Sequence, residues 1–463
     1  MCIRDRALLE PCQIAEHLAT VVTSADLGVA KPDPAPLLHA AAQLGLTDPS
    51  RILYLGNSRT DAQAAAAAGM HYVDASAFVD GRILPTIATW IERNAGHRVE
   101  RARAEIVPTD ATAAVLAGQH HDRLTKPRGS MGRVESLGVQ LAAIAGVCPP
   151  PVPEPAAVVV FAADHGVADA GVTIWPQEVT AQMVANFCRG GAAINVLARH
   201  TGASVTVVDV GVATSLADHS ASATGARFID RKVRFGTADL SLGPALNRCE
   251  ALLALDVGVE LAQRSVDEGA RCLITGDMGI GNTTAAAAVV AAVTGRPVAE
   301  VTGRGAGADE RMLERKISVI TDGLQRLWAS AGTIGPLSML EELGGLEIAA
   351  LAGFIIGGAS RRVPVVVDGV IAVAGLLIAH GLAPDVRSYV VAGHRSTEPG
   401  ASAGLAYLGL EPLLDLEMRL GEGTGAILAL PIIQAAAKLF HEMATFDAAG
   451  IGSTTPSGAY LPT

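Results

Sequence analysis

The sequence predicts an α/β protein built on a parallel sheet that is buried on both faces. From Ala156 onward, short β-branched runs end in polar, glycine-containing turns, and each turn opens a helix. The runs are almost continuously apolar, as strands covered on both faces are. Half of the 463 residues are hydrophobic, 17% are charged and only 3% are aromatic, with 50 glycines. That composition suits closely packed helices and tight loops.

A chain of 463 residues has room for two or three domains. Residues 1–76 read as an α/β fragment. Ala35 to Leu46 has helical spacing, and Arg51 to Leu55 is a short strand ending at Gly56. Asp61 to Ala68 is an Ala-rich helix that Gly69 stops, and His71 to Val73 is a second strand. Residues 77–104 read as a connector with a helix around Trp90. The proline-rich Pro149 to Pro155 marks another break.

Five strand-to-turn units follow. Val158 to Phe161 leads to Asp164-His165-Gly166, and Val205 to Val208 to Asp209-Val210-Gly211. Cys272 to Ile274 leads to Gly276-Asp277, Val365 to Val367 to Asp368-Gly369, and Tyr389 to Val391 to Gly393-His394. Ligands of open parallel sheets sit outside the carboxyl ends of the strands, where all five units place polar residues. Val363 to Ile378 is apolar, but Asp368, Gly369 and Gly375 break it into a buried strand, a turn and a helix rather than a membrane span.

The net charge of −11 excludes a general nucleic-acid binder. Six cysteines show no zinc-like spacing, so they are expected to be reduced in a cytoplasmic protein, and no metal is expected. No Gly-x-Ser-x-Gly elbow is present.

Two glycine-rich segments stand out. In Arg419-Leu420-Gly421-Glu422-Gly423-Thr424-Gly425, one carboxylate lies between glycines just before an apolar run. It reads as a helix-start acid favoured by the helix dipole, or as a general base if a dry pocket raises its pKa. Arg419 is close enough in sequence to orient it. In Gly276-Asp277-Met278-Gly279-Ile280-Gly281-Asn282-Thr283-Thr284, backbone N–H groups at a helix start could hold an anion, or the segment is a structural turn. It lacks the Gly-Lys-Ser/Thr ending of a P-loop. Gly303, Gly305 and Gly307 form a further glycine loop, and Lys316 on the next helix is either a phosphate contact or a solvated lysine. Trp175 and Met183 could line a slot for a flat ring, or pack as ordinary core.

These segments, in this order over residues 105–450, resemble the nicotinate-nucleotide:dimethylbenzimidazole phosphoribosyltransferase family. Leu124-Thr125-Lys126-Pro127-Arg128-Gly129-Ser130-Met131-Gly132-Arg133, Gly393-His394-Arg395-Ser396-Thr397-Glu398 and Glu442-Met443-Ala444-Thr445-Phe446 complete the likeness. The resemblance implies a base exchange at the ribose of nicotinate mononucleotide, with 5,6-dimethylbenzimidazole as acceptor and no cofactor. It assigns Glu422 as proton acceptor and Asp277 as an auxiliary acid, where many members carry Glu. It assigns nucleotide binding to Gly279, Gly281, Asn282, Thr283, Gly303, Gly305, Gly307, Lys316, Asp368 and Gly369. Thr173, Trp175, Met183 and Leu420 would bind the base.

The implied fold is a Rossmann-like parallel-sheet large domain and a smaller helical domain from residues 105–148 and the C-terminal segment, in a homodimer. Two alternatives stay open: a sister enzyme acting on another base, and a nucleotide-binding protein without turnover. The N-terminal part resembles the back half of a haloacid-dehalogenase-type hydrolase at Ser24, Lys31-Pro32-Asp33-Pro34 and Gly56-Asn57-Ser58-Arg59-Thr60-Asp61. Its Asp-x-Asp nucleophile motif is missing, and Met1 to Arg6 resembles translated adaptor sequence. A truncated, catalytically inert fragment is therefore expected there.

Overall fold

The computed structural model describes residues 2–3, 22–23, 28–43, 48–56, 58–74, 95–216, 225–330, 332 and 334–451. Ser24, Asn57, residues 44–46, the expected helix around Trp90 and most of Met1 to Arg6 lie outside them. Two compact units result, Met1–Ala95 and Gly96–Thr463.

In the first unit, Leu53–Gly56 and His71–Asp74 pair in parallel. The intervening helix Arg59–Ala68 starts at a capping box between Ser58 and Asp61 and stops at Gly69, whose φ is +73°. Leu37 and Ala41 of the helix Ala35–Gln43 join Ala64, Ala65 and Ala68 in a small core.

Among the described residues the second unit holds six strands: β1 (Ala156–Ala163), β2 (Ser204–Gly211), β3 (Arg227–Asp230), β4 (Cys272–Met278), β5 (Val365–Val367) and β6 (Val390–Ala392). They form one sheet in the order β3-β2-β1-β4-β5-β6, every pair parallel. The order reverses between β1 and β4, which makes their carboxyl ends the switch point where such sheets bind ligands. The edge strand β3 was not anticipated, because only Phe228 and Ile229 of its four residues are apolar.

The helices are α1 (His97–Glu105), α2 (Ala111–Arg123), α3 (Arg133–Ala145), α4 (Glu178–Arg189), α5 (Ala193–Thr201), α6 (Arg248–Asp267), α7 (Asn282–Thr294), α8 (Val298–Val301), α9 (Glu310–Ala329), α10 (Pro336–Leu343), α11 (Leu346–Ser360), α12 (Val370–Leu382), α13 (Pro399–Tyr407) and α14 (Thr424–Glu442). They cover both faces of the sheet. Val159 and Phe161 of β1 pack into a core with α6, α7, α11 and α12. Val158 and Val160 point the other way, into a core with α3, α4, α5 and α14. Residue alternation along one strand thus feeds two hydrophobic layers.

Helices α6 and α11 approach closely because a Cβ on Gly258 would lie 1.9 Å from the Ala350 carbonyl oxygen, and one on Gly353 2.0 Å from that of Leu255. Helix α1 begins inside the stretch expected to be a connector. Its Val99 and Ala102 are buried, and Asp256 of α6 accepts the N–H groups of Gly96 and Val99 at 3.0 and 2.8 Å. A cap supplied from so far along the chain leaves no local sequence signal.

On one side, α2, α3 and α14 form a helical layer in which Phe440 meets the His121 ring at 4.3 Å. Leu124 bridges Thr445. Helix α14 is long and apolar enough to cross a membrane, yet it is a core helix: Ile427, Leu430 and Ile433 are fully buried. The apolar Val363 to Ile378 forms β5, a turn and most of α12.

Candidate active site

The Glu422 loop docks directly on the end of β4. Gly421, Glu422 and Gly423 take φ values of +84°, +64° and +88° in succession. For a residue with a Cβ this left-handed region costs on the order of 1 kcal/mol, so the surroundings must impose it. A Cβ on Gly276 would stand 2.7 Å from the Glu422 carbonyl oxygen, and one on Gly423 2.9 Å from that of Thr275. Only glycines at these places let the loop and β4 meet.

The Glu422 side chain is 5% exposed, and its Oε2 has no hydrogen-bond partner among the described residues. Burial pushes its carboxyl up to about 7; the Ile194 N–H opposes this and Asp368 adds to it. Asp277 is also pushed well above the ordinary carboxylate range, by burial first and then by Asp368, Glu347 and Glu422. Its Oδ2 accepts from Asn282 Nδ2 at 3.1 Å, and its Oδ1 has no partner among the described residues. A Cβ on Gly421 would lie 3.1 Å from Asp277 Oδ2, so Asp277 stands between the Glu422 loop and the start of α7.

The second glycine segment forms the other half of the site. Gly281, with φ +93°, precedes α7, and a Cβ there would touch His165 at 3.1 Å. The Asn282 and Thr284 N–H groups bond back to Gly279 and Gly281. Those of Gly281 and Thr283 have no partner among the described residues. Lys316 of α9 is buried, which lowers its pKa, and its Nζ donates to Thr283 Oγ1 and the Gly303 carbonyl, both at 3.0 Å. Thr173, Trp175, Gly281, Thr283, Arg304 and Lys316 line one recess here. A helix start, free N–H groups and a buried lysine together suit an anion.

Several residues take other places than the sequence suggested. Arg419 does not turn to Glu422; its Nη1 donates to the Gly305 carbonyl at 3.0 Å and braces the glycine loop. Asp368 cannot serve an anion, because its two oxygens accept the N–H groups of Gly423 (3.2 Å) and Ala426 (2.8 Å) at the start of α14. His394 Nε2 lies 3.3 Å from it. Gly369 caps α12 with open space beside it, and Gly307 has φ +112°. Thr173 and Trp175 lie over the anion recess rather than beside Glu422, with Trp175 Nε1 donating to the Ala306 carbonyl at 3.1 Å. Met183 packs against the hydrophobic layer under α4, and Leu420 is exposed next to Glu422.

Other residues of the site were given no role from the sequence. Glu398 is buried and accepts the Gly305 N–H at 2.8 Å, fixing the loop from the start of α13. His165 and Glu347 form a buried pair with Nε2 to Oε1 at 2.7 Å. Burial alone would lower the His165 pKa, but Glu347 outweighs it and the net shift is upward. The larger groove of about 370 Å³ around Arg103, Leu382 and Asp385 contains none of these groups. In the first unit, Asp61 is taken up by Lys31, Tyr54 and Ser58.

Residues 106–451 match a family model described as phosphoribosyltransferase, and residues 2–69 match one described as haloacid dehalogenase-like hydrolase. The chain is 54% identical to the nicotinate-nucleotide–dimethylbenzimidazole phosphoribosyltransferase of Salinispora tropica, over 76% of this chain and 99% of the relative. The enzyme of that name from Chloroflexus aurantiacus is also 54% identical, over 75% of this chain and 96% of its own length. Among solved structures, CobT from Thermus thermophilus aligns with a TM-score of 0.70 at 47% identity, covering 74% of this chain and 99% of that one.

Proposed function

The chain belongs to the nicotinate-nucleotide–dimethylbenzimidazole phosphoribosyltransferase family, and from that premise we propose how its residues share the work. The reaction transfers the phosphoribosyl group of nicotinate mononucleotide to 5,6-dimethylbenzimidazole. One benzimidazole nitrogen bonds to ribose C1′ as the bond from C1′ to the pyridinium nitrogen breaks. The bonding pair neutralises that nitrogen, so nicotinate leaves without an acid. The proton on the other benzimidazole nitrogen passes to Glu422, and α-ribazole 5′-phosphate results.

The observation that carries this assignment is the Glu422 carboxyl: buried, one oxygen unpartnered among the described residues, with burial raising its pKa to about 7. A base poised near neutrality accepts a proton most effectively there. Lys316 and the free N–H groups of Gly281 and Thr283 would hold the 5′-phosphate, and the loop through Gly303, Gly305 and Gly307 would close over it. Asp277, between the two halves, would face the ribose as a neutral acid. Leu420, exposed two residues before Glu422, would support the flat base, while Thr173 and Trp175 would cover the nucleotide. Precise placement of C1′ between base and leaving group is the main catalytic contribution.

The family likeness supports a cytoplasmic homodimer. The first unit contributes no step, since the Asp61 carboxylate is occupied by its neighbours.

The test is to mix purified protein with nicotinate mononucleotide and 5,6-dimethylbenzimidazole and identify products by mass. α-Ribazole phosphate together with free nicotinate is expected. Parallel reactions with adenine or a phenol separate a sister activity. Binding of nicotinate mononucleotide with no release of nicotinate would leave only a nucleotide-binding protein.

A further inference from the structure

Against the second half of the site lies a residue to which no role has been given. Thr180, in the first turns of α4, is fully buried. Its Oγ1 donates to Asp164 Oδ1 at 2.5 Å and accepts the Ile280 N–H at 3.1 Å. Asp164 stands at the end of β1, and its Oδ2 accepts the Ala213 N–H at 2.8 Å. A few residues earlier, Gln177 Nε2 donates to the His165 carbonyl at 2.7 Å. The Thr173-to-Thr180 segment is thus pinned to the end of β1 by two side chains.

We propose that Thr180 is a positioning residue for the 5′-phosphate, setting the register of the Gly279-Ile280-Gly281 turn against β1. The proposal rests on the reading that this turn holds the phosphate of nicotinate mononucleotide. A hydroxyl is required because one group must donate to a carboxylate and accept from an amide at once. By taking the Ile280 N–H, Thr180 turns that amide away from the recess and leaves those of Gly281 and Thr283 for the ligand. The adjoining strap carries Thr173 and Trp175, which line the same recess. Thr180 therefore fixes both walls relative to the sheet. Valine has nearly the same shape but leaves the Ile280 N–H and Asp164 Oδ1 unpaired in a buried place, so the turn would rotate to find other partners.

Calorimetric titration of the full chain with nicotinate mononucleotide tests this in wild type, Thr180→Val and Thr180→Ser. The valine variant should bind about tenfold more weakly, the cost of a misplaced buried hydrogen-bond pair. Serine, which keeps the hydroxyl, should bind within about twofold of wild type. A lower melting temperature for Thr180→Val with an unchanged Kd would mark a merely structural threonine and overturn the proposal. If the valine variant does not fold, Thr180→Cys takes its place, and an unchanged Kd there overturns it equally. Turnover is measured separately. Weaker binding in Thr180→Val, with no product from wild type, would sink the transferase assignment and uphold this one. Product from wild type with equal Kd values in all variants would do the reverse. Failure of wild type to bind nicotinate mononucleotide would overturn both.

Discussion

Two buried carboxylates, one in each unit, show how surroundings decide what an acid can do. Asp61 sits at a helix start, where Lys31, Tyr54 and Ser58 all donate to it. Burial alone would raise its carboxyl, but the bonds from Lys31, Ser58 and Tyr54 win, and the net shift is well below the usual carboxylate range. Glu422 also precedes a helix. There the N–H groups of Gly423 and Ala426 are taken by Asp368 instead, and burial wins. One acid is a saturated structural cap. The other is left under-solvated and able to accept a proton. Asp368 is the device that separates the two cases, because it performs at α14 the capping that Glu422 would otherwise be drawn into.

The largest effect expected from breaking this contrast is Glu422→Gln. It keeps the shape and removes the base, so nicotinate release should fall by roughly 10²- to 10⁴-fold. Affinity for nicotinate mononucleotide should stay within about threefold. Steady-state rates paired with calorimetry check this, and a variant that retained wild-type turnover would remove Glu422 from the mechanism.

Next in size is Lys316→Met. Removing a buried, charge-assisted phosphate contact costs about 1.5–3 kcal/mol, which is roughly ten- to hundredfold in KM for the nucleotide. The KM for 5,6-dimethylbenzimidazole should move little. Equal changes in both KM values would show that the loop had collapsed rather than lost one contact.

The pH dependence sharpens the comparison. Glu422 must be ionised to act, so kcat/KM should climb as pH rises through about 7 and be lost on the acid side. Stability runs the opposite way. The folded carboxyl titrates near 7 and the unfolded one near 4.5, so between those values the folded state binds more protons and stability falls as pH rises. Glu422→Gln escapes that loss. It should match wild type below about pH 4.5 and exceed it above pH 7, by at most roughly 3.5 kcal/mol, the shift multiplied by about 1.4 kcal/mol per unit. Denaturant titrations at pH 5 and pH 8 measure the difference.

The strand-to-turn units were legible because a doubly covered strand must be apolar throughout, and a turn at its end must be polar. That logic found five strands and fixed which ends carry the site. It missed β3, whose Arg227 and Asp230 flank only two apolar residues at an edge that needs no continuous run. Glu422 and the Gly276-to-Thr284 segment were legible because glycine records close backbone approach. What brings them together was not: the pairing of Gly276 with the Glu422 carbonyl spans about two fifths of the second unit. Arg419 shows the limit of sequence proximity. Three residues from Glu422, it is sent by the left-handed turn to Gly305 instead. Thr180 and Glu398 are ordinary polar residues until the fold places an amide opposite each.

The smallest effect on turnover should come from the other acid. Asp61→Asn removes the charge that Lys31 pairs with and leaves the helix start of the first unit poorly capped. The carboxyl of Asp61 is held well below its ordinary value, so its contribution to stability is complete above the usual carboxylate range and is lost only as pH falls below that range, through the depressed folded value. Near neutrality the substitution should therefore loosen the first unit, measured as faster amide exchange along Arg59–Ala68. At pH 3, still above that depressed folded value, most of the difference should persist, and the variant and wild type should converge only in stronger acid. Base exchange should stay within about twofold of wild type throughout, because every group assigned to the reaction belongs to the other unit. A tenfold loss of turnover in Asp61→Asn, with Glu422 intact, would mean that the first unit takes part in the reaction after all, and that an acid saturated with donors is not thereby idle.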